Sequence, residues 1–134
     1  MKRHRWSVLA VALLALSGPA TAAELVLTFG DDVLAVPASD VTCVSIAEAD
    51  AYDSSGIVFE FDLAHAAELA RLTRAVDGRQ MRIALDERLI AEPVVRGPIA
   101  GGSFEVNGFF EPDLLDAIAD AFPNLADRCD GEAL

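Results

Sequence analysis

Lysine is almost missing from this chain. Lys2 is the only one in 134 residues, set against 22 aspartates and glutamates, and the formal net charge is −12. A surface so poor in cations repels phosphate backbones and anionic lipid, which excludes nucleic acid and acidic membranes as partners. Histidine and cysteine occur twice each, too few for a structural zinc site once His4 is set aside with the N-terminal segment. There is no Gly-x-Ser-x-Gly elbow and no His-Glu-x-x-His pair, so the usual nucleophile and metalloprotease signatures are absent. Neither internal repeats nor low-complexity linkers break the chain. No catalytic set, cofactor or metal is expected.

The cations that do occur are unevenly placed. Lys2, Arg3 and Arg5 precede an apolar run from Trp6 to Leu16, Gly18-Pro19 ends it, and Ala20-Thr21-Ala22 puts small residues where a signal peptidase needs them. The run is shorter than the roughly 20 residues of a membrane span. Residues 1–22 are therefore expected to be a cleaved secretory signal, and 23–134 a single exported domain, periplasmic or secreted. No cysteine near the cleavage point offers a lipid anchor, and His4 separates Arg3 from Arg5, so a twin-arginine signal is not expected either. Losing three cations takes the net charge from −12 to −15, leaving seven arginines and no lysine. No stable membrane insertion is expected after cleavage. In an exported chain Cys43 and Cys129 are expected to pair as a disulfide. Closing a loop of that length is worth about 4–5 kcal/mol in the chain-entropy model. The bridge would pin a polar tail to an early strand.

Periodicity divides the body. "LVLTFG" (25–30) alternates Leu25, Leu27 and Phe29, and "VLAV" up to Pro37 returns after a turn at Asp31-Asp32. "DVTCVSIAEADAY" (40–52) is β-branched at its start and reads as a strand, with a turn at 53–56. "IVFEF" (57–61) puts Ile57, Phe59 and Phe61 on one face. The period then changes. Asp62 suits an N-cap, and Ala66, Leu69, Ala70, Thr73 and Val76 form a helical stripe closed by Gly78. Met81, Ile83 and Leu85 share a strand face, and a turn at Asp86-Glu87 makes a hairpin with "RLIAEP". Pro93 marks a strand end or a sheet edge. Pro98 and Gly101-Gly102 make the following stretch a loop, and "SFEVNGFF" (103–110) resumes the strand pattern. Pro112 opens a last helix with Leu114, Leu115, Ile118 and Phe122 as its stripe. Two helices on one face of an antiparallel or mixed sheet is an α+β layer.

The run "FEFDLAHAAELARLTRAVDGRQMRIALDERLIAEPVVRGPIAGGSFEVNGFFEPDLLDAIADAF" (59–122) resembles the head subdomain of the first periplasmic domain of SecD and SecDF. The Phe-x-Phe strand, "LTR" on the helix, "GRQMRIALD" followed by a strand and proline, and "PIAGGSFEVNG" before an Ala/Leu-rich helix carry the likeness by their order and spacing. The resemblance implies a small ferredoxin-like α+β unit. It also implies engagement of an emerging polypeptide in protein export. With no six-helix membrane portion and no complete base subdomain in view, a free-standing exported relative of one module is expected.

The candidate chemistry is sparse. His65 falls in the first turn of the first helix and is expected to face outward. Asp31-Asp32, Asp50 with Asp53, and Asp127 with Asp130 and Glu132 lack calcium-loop spacing and read as solvated surface. Gly97, Gly101 and Gly102 lack the lysine or hydroxyl residue of a phosphate loop and are expected to let the crossover turn. Phe109 and Phe110 are expected in the core, with an exposed ring there marking a binding contact. The function expected is a non-catalytic binding module that takes unfolded polypeptide by strand addition. The binding residues named are Pro93, Val94, Val95, Arg96, Gly97, Pro98, Gly101, Gly102 and Phe110. The alternative is a structural adaptor docking on an envelope complex through its acidic surface.

Overall fold

The computed structural model describes residues 23–47, 54–75 and 78–129. The expected signal at 1–22, Asp50 and Asp53, Val76 of the helical stripe, and Asp130 and Glu132 lie outside those residues. Alternating apolar side chains set the first hairpin. Leu25, Leu27 and Phe29 of β1 (Glu24–Phe29) are buried, as are Leu34 and Val36 of β2 (Asp32–Pro37), and the turn uses Gly30 at φ +63°. A 3-10 turn at Ala38–Asp40 leads into β3 (Val41–Ala47), which pairs antiparallel with β4 (Ser55–Phe61). The turn expected at 53–56 is shorter than the sequence suggests: Ser55 and Gly56 already belong to β4, opposite Gly108 and Asn107. A Cβ on Gly56 would meet the Glu105 and Asn107 side chains at 2.9 Å, so the strand tolerates a bare position there.

Helix α1 (Leu63–Arg74) begins where Asp62 accepts the His65 amide at 3.0 Å. It buries Leu69, Leu72 and Thr73 and lies against β2 and β4. Gly78 stands past its end at φ +80°. Then come β5 (Arg82–Leu85), β6 (Arg88–Ala91), β7 (Ser103–Gly108), α2 (Pro112–Ala121) and β8 (Leu125–Ala126). The class is α+β. The strands divide between two sheets rather than one, ordered β2-β1-β5-β6 and β7-β4-β3-β8, with β8 parallel to β3 and the other pairs antiparallel. β1 skips β3 and β4 to pair with β5, a non-local choice that no local pattern encodes. The inner faces of both sheets and both helices share one buried cluster, in which Phe59 meets Phe104 and Phe122 with ring centroids at 5.6 and 5.9 Å.

The crossover from β6 to β7 carries the chain from one sheet to the other and is tied down twice. Ile99 donates its amide to Thr73 Oγ1 at 2.8 Å, inside the protein. Gly102, at φ +72°, lies so close to α1 that a Cβ would come within 2.5 Å of Ala66 Cβ, and its carbonyl accepts the Phe61 amide at 2.9 Å. The tail is tied as well. Cys43 and Cys129 form a disulfide, Val44 donates its amide to the Asn124 carbonyl at 3.1 Å, and Ser45 Oγ donates to the Asp127 carbonyl at 3.3 Å. β8 and these bonds hold the tail in addition to the bridge, which the polar composition alone did not suggest. Among the described residues no helix is long and apolar enough to cross a membrane.

Replacing both cysteines by serine should lower unfolding stability by about 2–5 kcal/mol in urea titration, and a bridge-free variant as stable as the oxidised protein would contradict the tail's role. G102A combines a left-handed backbone with overpacking and should cost about 2–5 kcal/mol. G97A and G101A, with nothing within 4 Å of the new Cβ, should stay within about 0.5 kcal/mol of the parent.

Candidate functional site

β6 is the last strand of its sheet, and the chain beyond it keeps the same direction. Met81 donates its amide to the Pro93 carbonyl at 2.8 Å, Val95 donates to the Arg79 carbonyl at 2.8 Å, and Val94 bridges Gln80 between them. Bonds on either side of a facing pair define a non-hydrogen-bonded pair, so the N–H and C=O of Val94 point away from the sheet. Proline at 93 lacks its donor on the inner side, opposite Met81, and leaves the outward groups of Val94 intact. Val94 is 43% exposed. In this register Leu89, Glu92 and Val94 face outward, while Ile90, Pro93 and Val95 face the interior.

Beside this edge lies a groove of about 180 Å³, lined by residues 93–97 together with Met81, Ile99, Phe104 and Glu105. Of the residues named from sequence, Pro93, Val94, Val95, Arg96 and Gly97 come together here. Pro98 is exposed outside the lining, Gly101 faces open space, and Gly102 is buried against Ala66 as a packing position. Phe110 packs against the core, and the exposed ring is Phe109, at 75%. The expectation that both would be buried fails because consecutive residues of extended chain face opposite ways. Met81, Ile99, Phe104 and Glu105 were not foreseen as lining. They come from three separate segments, and no spacing in the sequence links them.

A second cluster joins Asp40, Asp62 and His65. His65 is not turned to solvent: its side chain is 22% exposed, with Nδ1 2.7 Å from Asp62 Oδ1 and 3.9 Å from Asp40 Oδ2. The same Asp62 oxygen accepts the His65 amide, and the Asp62 amide donates to the Asp40 carbonyl at 3.0 Å. This is a helix cap that also clamps the 3-10 turn. A cation would have to displace donors from Asp62 and sit at the positive end of a helix. Cys43, Glu60 and Cys129 also gather, but the two sulfurs are joined to each other and offer no thiolate. At the sheet edge Arg88 donates to Asp113 at 2.9 Å, linking β6 to the first turn of α2, and this holds the Asp113 carboxyl below its usual range.

The described residues thus define a small two-sheet α+β body that offers an open strand edge and a groove. The sequence profile of the SecDF P1 head subdomain matches residues 26–119, and the chain belongs to that family. It is similar to a solved SecDF, described as a membrane component that enhances protein export, with 22% identity over 75% of this chain and 46% of that one, and a TM-score of 0.53. SecDF in a super-membrane-facing form shows 22% identity over 72% of this chain and 12% of its own, at a TM-score of 0.49. SecDF from Thermus thermophilus, a translocon-associated membrane protein, shows 19% identity over 84% and 20%, at 0.47. The chain spans under half the length of each, and likeness at these identities shows the fold alone. No curated protein matches it.

The Asp62 carboxyl is held below its usual range chiefly by the His65 amide, with the hydrogen bond and charge of the ring adding to this and burial opposing it. A carboxyl lowered in the folded state contributes stability above its unfolded pKa of about 3.9, and the contribution is lost as pH falls through the folded value. D62A should therefore cost about 0.5–2 kcal/mol at pH 7. The difference from the parent should shrink as pH falls below about 4. A difference that does not change between pH 7 and pH 3 in urea titration would contradict the assignment.

Proposed function

We propose that this chain is an exported, non-catalytic accessory of protein export that takes an extended polypeptide by strand addition at the Leu89–Arg96 edge. Residues 1–22 act as its secretory signal and residues 23–134 work as one domain outside the cytoplasm. Main-chain bonds to an edge supply affinity without regard to sequence, as a polypeptide still unfolded requires. The observation that supports this most is Val94, whose N–H and C=O aim off the open edge beside an apolar groove. Family membership and the export role described for SecDF supply the setting. The Cys43–Cys129 bridge agrees with an oxidising compartment.

A structural adaptor is the second reading, and one observation favours it. Val26, Val33 and Ala35 form an apolar strip on the outer face of the first sheet, beside Thr28 and Arg82, where a fully solvated sheet face would be more polar. Acids at the ends of the strands, Glu24, Asp31, Asp32, Asp86 and Glu87, surround it in sequence. Docking there would weaken with salt, whereas main-chain addition at the edge would persist.

The test uses the Val94 amide, which the sheet does not employ. Titrating the labelled chain with a reduced, unfolded polypeptide should move NMR signals in 88–97. V94P should retain a native spectrum and bind at least about tenfold more weakly, the equivalent of about 1.4 kcal/mol from a main-chain bond. V94A, which keeps the main-chain donor and shortens only the side chain, should bind more tightly than V94P. Full binding by V94P, or an absence of shifts in 88–97, would reject strand addition.

A further inference from the structure

We infer that the edge selects an extended segment that is apolar on both of its faces and carries a basic residue, a selectivity that rests on the strand-addition reading above. A strand added beside Glu92–Val95 would send alternate side chains to opposite sides. One set would lie beside the outward row Leu89, Glu92 and Val94. The other would enter the groove toward Met81, Ile99 and Phe104. Leu89 and Val94 are 41% and 43% exposed, and the groove opposite them is apolar apart from Arg96 and Glu105 at its rim. The groove-side set therefore meets apolar surface, and the outward set meets apolar Leu89 and Val94 on either side of the charged Glu92. A strand from an ordinary half-solvated sheet is polar on one face and would leave one of these surfaces badly matched. An uninterrupted apolar segment, of the kind that is buried once its owner has folded, matches both.

Charge narrows the class further. Glu92 stands in the outward row between Leu89 and Val94. Arg82 faces it in register, yet no ion pair joins the two. Glu105 lies on the groove side. With Lys2, Arg3 and Arg5 removed the chain goes from −12 to −15, so acidic segments and a second copy of this chain are repelled. An arginine or lysine on the outward side of the bound segment would lie beside Glu92, where cross-strand pairs of opposite charge are favourable.

Three labelled eight-residue peptides with Ser-Gly ends distinguish the possibilities by fluorescence anisotropy and NMR shifts on the purified chain. The first is an apolar run with one central arginine. In the second, serines interleave with the apolar residues. In the third, glutamate replaces the arginine of the first. The first should bind at least about tenfold tighter than the second, the effect of one modest apolar side chain left in water, and several-fold tighter than the third, the effect of exchanging a favourable cross-strand charge pair for a repulsive one. E92Q should narrow the gap between the first and third peptides by several-fold. Equal affinities accompanied by shifts in 88–97 would overturn the selectivity and leave strand addition standing. Binding of no peptide, or shifts confined to other residues, would remove strand addition and the selectivity with it.

Discussion

Thr73 carries a hydroxyl into the interior, donates it to the Leu69 carbonyl at 2.7 Å, and accepts the Ile99 amide at 2.8 Å. A buried polar group without a partner would cost about 1–3 kcal/mol, so both groups are strongly held to this arrangement. The bond joins the crossover to the last turn of α1, and Gly102 repeats the attachment about two turns of helix earlier, against Ala66. Between Pro93 and Ser103 the chain therefore has little freedom to fold back over the edge it leaves. Among the described residues the edge stays open because the segment most able to cover it is fastened elsewhere.

The two sheets solve the problem of their surfaces differently. The second is closed off on one side by the tail: β8 pairs with β3, Ser45 holds the Asp127 carbonyl, and the disulfide leaves Cys129 2% exposed. Its other edge, β7, carries Glu105 and Asn107, which blunt strand addition with charge and polarity. The first sheet ends at β6 and Val94, where exposed Leu89 and Val94 alternate with Arg88, Glu92 and Arg96. Under the strand-addition proposal, that edge is the surface the partner strand would use.

The fold was largely legible from the sequence because most of its elements announce themselves locally. The alternation at 25–29 and 57–61, the cap at Asp62, Gly78 past the helix and Pro112 at the start of the last one each depend on neighbours within a few residues. The Cys43–Cys129 bridge followed from parity and expected compartment. The division into two sheets was hidden, since β1 finds β5 across more than fifty positions of chain. Half of the groove was hidden for the same reason: Pro93–Gly97 could be picked out by composition, whereas Phe104 and Ile99 reach it only through the tertiary crossing. Gly102 looked like a binding glycine because flexibility and close packing demand the same residue, and only the distance to Ala66 separates the two roles.

Amide hydrogen exchange at two neighbouring positions tests the central claim most directly. Val95 bonds into the sheet through its amide and Val94 does not. In the chain alone, the Val94 amide should exchange far faster than those of Val95 and Met81. With saturating unfolded polypeptide it should become protected while theirs change little. A Val94 amide already protected in the free chain, or one that stays unprotected in the complex, would contradict an open edge completed by a partner strand.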